Sequence, residues 1–149
     1  MNKFEELIEA LSETLQVPLH AERGSSCKLL IDGRMDLSIE CDSSAENILL
    51  GCLICDVPPG RFRELLFKET LRMNAHYPRP GTFAYSERAS KLCLYQYIPF
   101  VNLSSLRFSN LLEEFLEFAD AWRRAIDSGN LSSVALPPPD TRPSPMGLR

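Results

Sequence analysis

The chain has 149 residues, a formal charge of −4, and 44% hydrophobic and 24% charged residues. That is long enough for one domain with a real core and ordinary for a globular protein. The acidic balance argues against a primary nucleic-acid binder, which needs a basic stripe, and no apolar run approaches the length of a membrane span.

The spacing of Phe4, Leu7, Ile8, Leu11 and Leu15 predicts an amphipathic helix over residues 2–16, capped by Asn2, with Glu5 three residues on and Pro18 beyond its end. The start is acidic and amphipathic, unlike a secretory signal peptide. Cys27 to Asp32 and Met35 to Cys41 read as a hairpin turning at Asp32-Gly33. In the second strand Met35, Leu37, Ile39 and Cys41 alternate with Asp36, Ser38, Glu40 and Asp42, as in a half-exposed antiparallel strand. Asn47 to Val57 is apolar on both faces and reads as the central strand.

Pro58-Pro59-Gly60 ends that strand and opens a helix running to about His76. Phe62, Leu65, Leu66 and Met73 form one apolar face of this helix, while Phe67 and Leu71 form a second, nearly opposite. A second stripe marks either a surface on which something docks or a helix buried on both sides within the domain. Strands follow at about Gly81–Ser86 and Lys91–Phe100, joined by Glu87-Arg88-Ala89-Ser90. The last helix runs from Ser104 or Ser105 to Ser128, with Phe108, Leu111, Leu112, Phe115, Ala119, Trp122 and Ile126 inward and Gly129 as its stop.

Residues 1–129 therefore read as one α+β domain of order α-β-β-β-α-β-β-α, a five-stranded, mostly antiparallel sheet with three helices. Five of the eleven prolines lie between Pro137 and Pro145, and residues 130–149 read as a disordered or extended tail.

Candidate chemistry is sparse. Five cysteines are an odd count and fall in strand-like segments, which suits reduced, buried thiols. Cys52 and Cys55 form the one CxxC, but residues three apart on a regular strand point to opposite faces. His20 and His76 occupy loop and helix-end positions, and Glu113, Glu114, Glu117 and Asp120 fall on the solvated face of the last helix. No nucleotide-binding motif appears, and neither a cofactor nor a metal is expected. Phe83, Tyr85, Tyr95 and Tyr97 line the last two strands, as core or as a protein-binding surface.

From about Phe4 to Asp127 the chain resembles the class I chaperones of bacterial type III secretion, the CesT/SycE-like group. The resemblance rests on the opening helix Phe4 to Leu15, the hairpin Leu30-Ile31-Asp32-Gly33, and the helix end Leu71-Arg72-Met73-Asn74-Ala75 before Gly81. It continues through Gly81-Thr82-Phe83-Ala84-Tyr85-Ser86, Leu92-Cys93-Leu94 and Ile98-Pro99-Phe100. It implies a homodimeric, ATP-independent, cytoplasmic chaperone that holds the N-terminal segment of a type III effector in extended form. On that pattern Phe67, Leu71, Phe83 and Tyr85 form the dimer interface. Phe4, Leu7 and Leu11, with Leu29, Ile31, Leu37 and Ile39 of the hairpin, offer the effector a patch, and the effector adds a strand to the sheet.

Two other classes compete. A cytosolic regulator binding a transcription factor or a secretion-apparatus protein would use the same surfaces. An α+β enzyme would need a low-pKa cysteine beside His20 or His76.

Overall fold

The structure, a computed structural model, is described for residues 2–42, 44 and 46–137. Its elements are α1 (Lys3–Leu15), β1 (Ser26–Ile31), β2 (Met35–Cys41), β3 (Asn47–Asp56), α2 (Arg61–Ala75), β4 (Thr82–Ser86), β5 (Lys91–Pro99) and α3 (Ser105–Ser128). Asn2 caps α1: its Oδ1 accepts from the Glu5 N–H at 2.8 Å, and its Nδ2 donates to the Gly24 carbonyl at 3.0 Å. At the β1–β2 turn Asp32 and Gly33 both take positive φ, 51° and 67°, and the Arg34 N–H donates to Ile31 O at 2.9 Å. That turn matches the right-handed twist of the paired strands.

The sheet order is β1-β2-β3-β5-β4, and every pairing is antiparallel. The register puts Cys27, Met35, Leu37, Ile39, Ile48, Leu50, Cys52, Leu94, Ile98 and Phe83 on one face, and all of them are buried. Here α1 contributes Phe4, Leu7, Ile8 and Leu11 to the core, and α3 contributes Phe108, Leu112, Phe115, Ala119, Trp122 and Ile126. Phe83 stacks edge-on against Trp122, centroids 4.7 Å apart, with Phe118 5.6 Å away. Gly81 allows this approach, since a Cβ there would lie 2.9 Å from Leu94 Cγ and 3.1 Å from the Tyr95 carbonyl oxygen.

Three features depart from the expectations. First, the buried stripe of α2 is Leu66, Glu69, Thr70 and Met73, while Leu65 is largely exposed. Polar groups can sit there because they are satisfied: Glu69 pairs with Arg72 at 3.3 Å, and Thr70 Oγ1 donates to Phe67 O at 3.1 Å. Hydrophobic patterning counts neither residue, so the stripe it draws is rotated towards Leu65. Second, β3 is buried on one face only, and Leu49, Gly51 and Leu53 on the other are half-buried. Third, packing does not stop at Gly129: Leu131 is buried, and Val134 and Leu136 lie partly buried against the core. The remainder of the Pro-rich stretch, residues 138–149, lies outside the described residues.

Helix α2 is fastened to the outer strand by one side chain. Asn74 Nδ2 donates to Phe83 O at 3.0 Å, and the Phe83 N–H donates to Asn74 Oδ1 at 2.8 Å. The amide therefore completes the edge of β4 as a neighbouring strand would. Asn74→Ala should cost about 2–3 kcal/mol, because it orphans two half-buried backbone groups. Urea unfolding of the two proteins reads the difference, and a loss under about 0.5 kcal/mol would deny Asn74 this role.

Candidate functional site

Among the described residues, two apolar surfaces stand out after the core is assembled. The first is a groove of about 220 Å³ between α2 and β4, lined by Phe67, Thr70, Leu71, Phe83, Tyr85 and Leu92 among others. Leu71 stands 67% exposed on its rim. Phe67 and Tyr85 stack with centroids 5.2 Å apart, and the Arg63 guanidinium sits 5.6 Å from the centre of the Tyr85 ring. The structure thus brings the four residues expected at a dimer interface to one groove. They are not equivalent there: Phe83 is a core side chain held by Trp122, while Phe67 and Tyr85 are half-buried.

The second surface is the sheet face away from the buried side chains. It carries Leu30, 60% exposed, with Leu53, Cys93, Tyr95 and Tyr97, and the two tyrosine rings meet edge-on at 6.2 Å. A hollow of about 580 Å³ runs over β1, β2, β3 and β5. Gly51 helps to make it, because a residue without a side chain sits mid-sheet beside Ser38. This face has no counterpart in the expected patch, which draws on α1 and on the other face of the β1–β2 hairpin. The signal for it was present in the period-2 placement of Leu30, Leu53, Tyr95 and Tyr97.

The edges of the sheet differ in the same useful way. At the β4 edge Asn74 pairs the outward backbone groups of Phe83, while those of Tyr85 have no partner among the described residues. At the β1 end, the Cys41 N–H donates to Ser25 O at 2.9 Å, so odd-numbered residues of β1 face β2 and even-numbered ones face outward. Ser26 is taken by Glu22, through bonds of 2.6 and 3.2 Å. The backbone groups of Lys28 and Leu30 have no partner among the described residues. That pair forms an open strand edge directly beside the hollow.

Most of the expected effector patch has another use within this chain. Phe4, Leu7, Leu11, Leu37 and Ile39 are buried in the core, and only Leu29 and Ile31 stay half-buried. The most regular apolar positions of an amphipathic element are those its own domain needs first.

No cysteine is primed for chemistry. Burial raises all five thiols, pushing Cys52 up to about 12 and Cys55 up to about 11. The alternation expected to separate those two is broken by a register shift between Leu53 and Cys55, which sets Cys55 opposite Leu92 on the helix-covered side. They nevertheless remain free thiols. His20 and His76 are exposed. Asp120 is not simply solvated: it accepts from Arg123 at 2.7 Å and from Arg124 at 2.6 Å, and Arg123 also reaches Asp127 at 3.0 Å. This network holds a buried guanidinium at the end of α3.

The described surface thus combines apolar grooves, an open strand edge and thiols kept protonated by burial. Residues 6–123 match the Tir chaperone protein (CesT) family. The chain belongs to that family. A chain of the HopA1–SchA chaperone–effector complex is 25% identical, with a TM-score of 0.65, over 82% of this chain and 94% of that one. A chain of the ExsC–ExsE complex shares the fold at 21% identity and a TM-score of 0.64, over 83% and 96%. So does one from the complex of the Yersinia pestis type III secretion chaperone SycH with a stable fragment of YscM2, at 12% identity and 0.63, over 80% and 98%. No curated protein sequence matches the chain. The CesT family is a family of chaperones, and two of these three structures are of chaperones in complex with another protein.

The thiols give a pH dependence of defined sign. A thiol whose folded-state pKa is raised stabilises the protein fully below its unfolded value, near 9.0, and that contribution is lost as pH rises towards 11 and 12. Stability should therefore fall above about pH 9. At pH 8 a disulfide reagent should label Cys52 only as fast as the protein unfolds, and rapid native-state labelling would contradict its placement.

Proposed function

We propose that this CesT-family chain is a homodimeric, ATP-independent cytoplasmic chaperone, not an enzyme. It holds the N-terminal segment of one or more type III effectors extended and ready for secretion. The observation that carries this reading is the open edge of β1 at Lys28 and Leu30, beside an uncovered apolar sheet face, in a member of a chaperone family. A cargo strand laid there would gain main-chain hydrogen bonds that ask little of its sequence. Side chains entering the hollow near Leu30, Leu53 and Tyr95 would supply selectivity. The cargo gives up conformational entropy on ordering, so contact has to extend well beyond four backbone groups. Leu29 and Ile31, half-buried on the other face of β1, lie beside the same edge and are where α1 and the hairpin would add to that contact.

The α2–β4 groove suits a second copy of the chain. Phe67, Leu71 and Tyr85 present an apolar surface on a rigid helix, and two such grooves related by a two-fold axis would cover one another. Phe83 contributes from the floor. A dimer also doubles the number of open β1 edges, which suits one long extended segment wrapping two protomers.

The expected product of co-purification is two copies of this 16.8 kDa chain on one secreted protein, bound through a protease-sensitive N-terminal segment, by light scattering. Capture of a transcription factor or an apparatus protein alone would favour the regulator instead. Phe67→Glu or Leu71→Glu should yield a folded monomer, because a buried unpaired carboxylate at the interface costs several kcal/mol, of order 3–5. A double variant that remains dimeric and folded would remove the groove from the interface. Lys28→Pro deletes one outward N–H without touching the β1–β2 ladder. It should weaken cargo binding at least about tenfold, the worth of one main-chain bond, while Lys28→Ala should not.

A further inference from the structure

The eight residues after Gly129, Asn130–Pro137, pack back onto the domain. Gly129 turns the helix end with a φ of 72°, and the Asn130 N–H donates back to Ala125 O at 3.1 Å. Asn130 Oδ1 then accepts from the Ser132 N–H at 2.9 Å, and Leu131 O accepts from both Val134 and Ala135 N–H groups, at 3.1 and 2.8 Å. This compact turn drives Leu131 into the core, where only 4% of it remains exposed, and lays Val134 and Leu136 against the core surface. The segment next reaches α2: Arg72 Nη2 donates to Pro137 O at 2.9 Å. Through Nη1 the same guanidinium holds the carboxylate of Glu69, whose residue is 8% exposed on the inner stripe of α2. Arg72 adjoins Leu71 on the rim of the α2–β4 groove.

We propose that Asn130–Pro137 is a strap that fastens α2 to the domain. It anchors at Leu131 and latches at Arg72, and it holds the Phe67–Leu71 face in a fixed position. At its inner face α2 has a short apolar stripe interrupted by Glu69 and Thr70, so its own burial holds it weakly compared with α3. The strap adds apolar burial and one charge-assisted bond from a segment 65 residues away in sequence. A helix held in one position presents its outer face without first paying to order it, so a partner of that face binds a preformed surface. The consequence for dimer affinity rests on the assignment of the groove in the preceding subsection, whereas the fastening of α2 does not.

The two are separated by measuring amide exchange across residues 62–75 in the Phe67→Glu background, where the dimer reading is not needed. Truncation after Gly129 should speed exchange in α2 by about tenfold or more relative to β3 and β5. Truncation after Pro137 should leave it unchanged. Leu131→Asp in the full chain should reproduce the first effect, and it decides the matter if the shorter chain fails to fold. Protection of α2 that stays within about twofold in Leu131→Asp overturns the strap, as does acceleration spread equally over helices and sheet. In the otherwise unsubstituted chain, truncation after Gly129 should also raise the dimer dissociation constant. An unchanged constant with loosened α2 would keep the strap and count against the groove as the interface.

Discussion

Successive side chains of a strand point to opposite faces, and the helices among the described residues cover only one of them. The rest of the structure follows from that constraint. Cys27, Met35, Leu37, Ile39, Ile48, Leu50, Cys52, Leu94 and Ile98 form a continuous apolar face under α1 and α3. The opposite face keeps Leu30, Leu53, Tyr95 and Tyr97 at the surface. A five-stranded antiparallel sheet also has two edges. One is half-closed by an asparagine amide on α2 at Phe83, and the other is half-closed by Glu22, which leaves Lys28 and Leu30. An apolar face and an unpaired edge lie side by side, and neither is used by the fold itself.

Much of the fold was legible because its signals are local. Asn2, Asp32-Gly33, Pro58-Pro59-Gly60, Ser104 and Gly129 each act through a cap or turn whose chemistry is confined to a few residues, and element boundaries followed them closely. What depends on partners distant in sequence was harder to read. Glu69 lies buried with its carboxylate paired to Arg72, which in turn reaches the C-terminal segment at Pro137, and the break in β3 alternation appears only against β5. Leu131 reads as part of a proline-rich tail because one leucine in a polar stretch has no period.

The functional surfaces divide along the same line. Phe67 and Leu71 were conspicuous as a second stripe on α2, and Phe83 and Tyr85 joined them only through a family resemblance. Among the residues assigned to cargo, Phe4, Leu7, Leu11, Leu37 and Ile39 proved to be core, since amphipathic pattern reports burial without saying by what. Leu30 was passed over for the opposite reason. It lies on the polar side of its hairpin strand, where an apolar residue has no folding role and is therefore free for another.

The chaperone reading stands or falls on whether cargo occupies the β1 edge. Amide exchange at residue resolution, on the protein alone and with the N-terminal segment of a co-expressed effector bound, addresses this directly. The account predicts strong slowing at the Lys28 and Leu30 amides, with Cys27 and Leu29, already paired to β2, much less affected. Binding that leaves Lys28 and Leu30 exchanging as in the free protein, with protection confined to other surfaces, would contradict it.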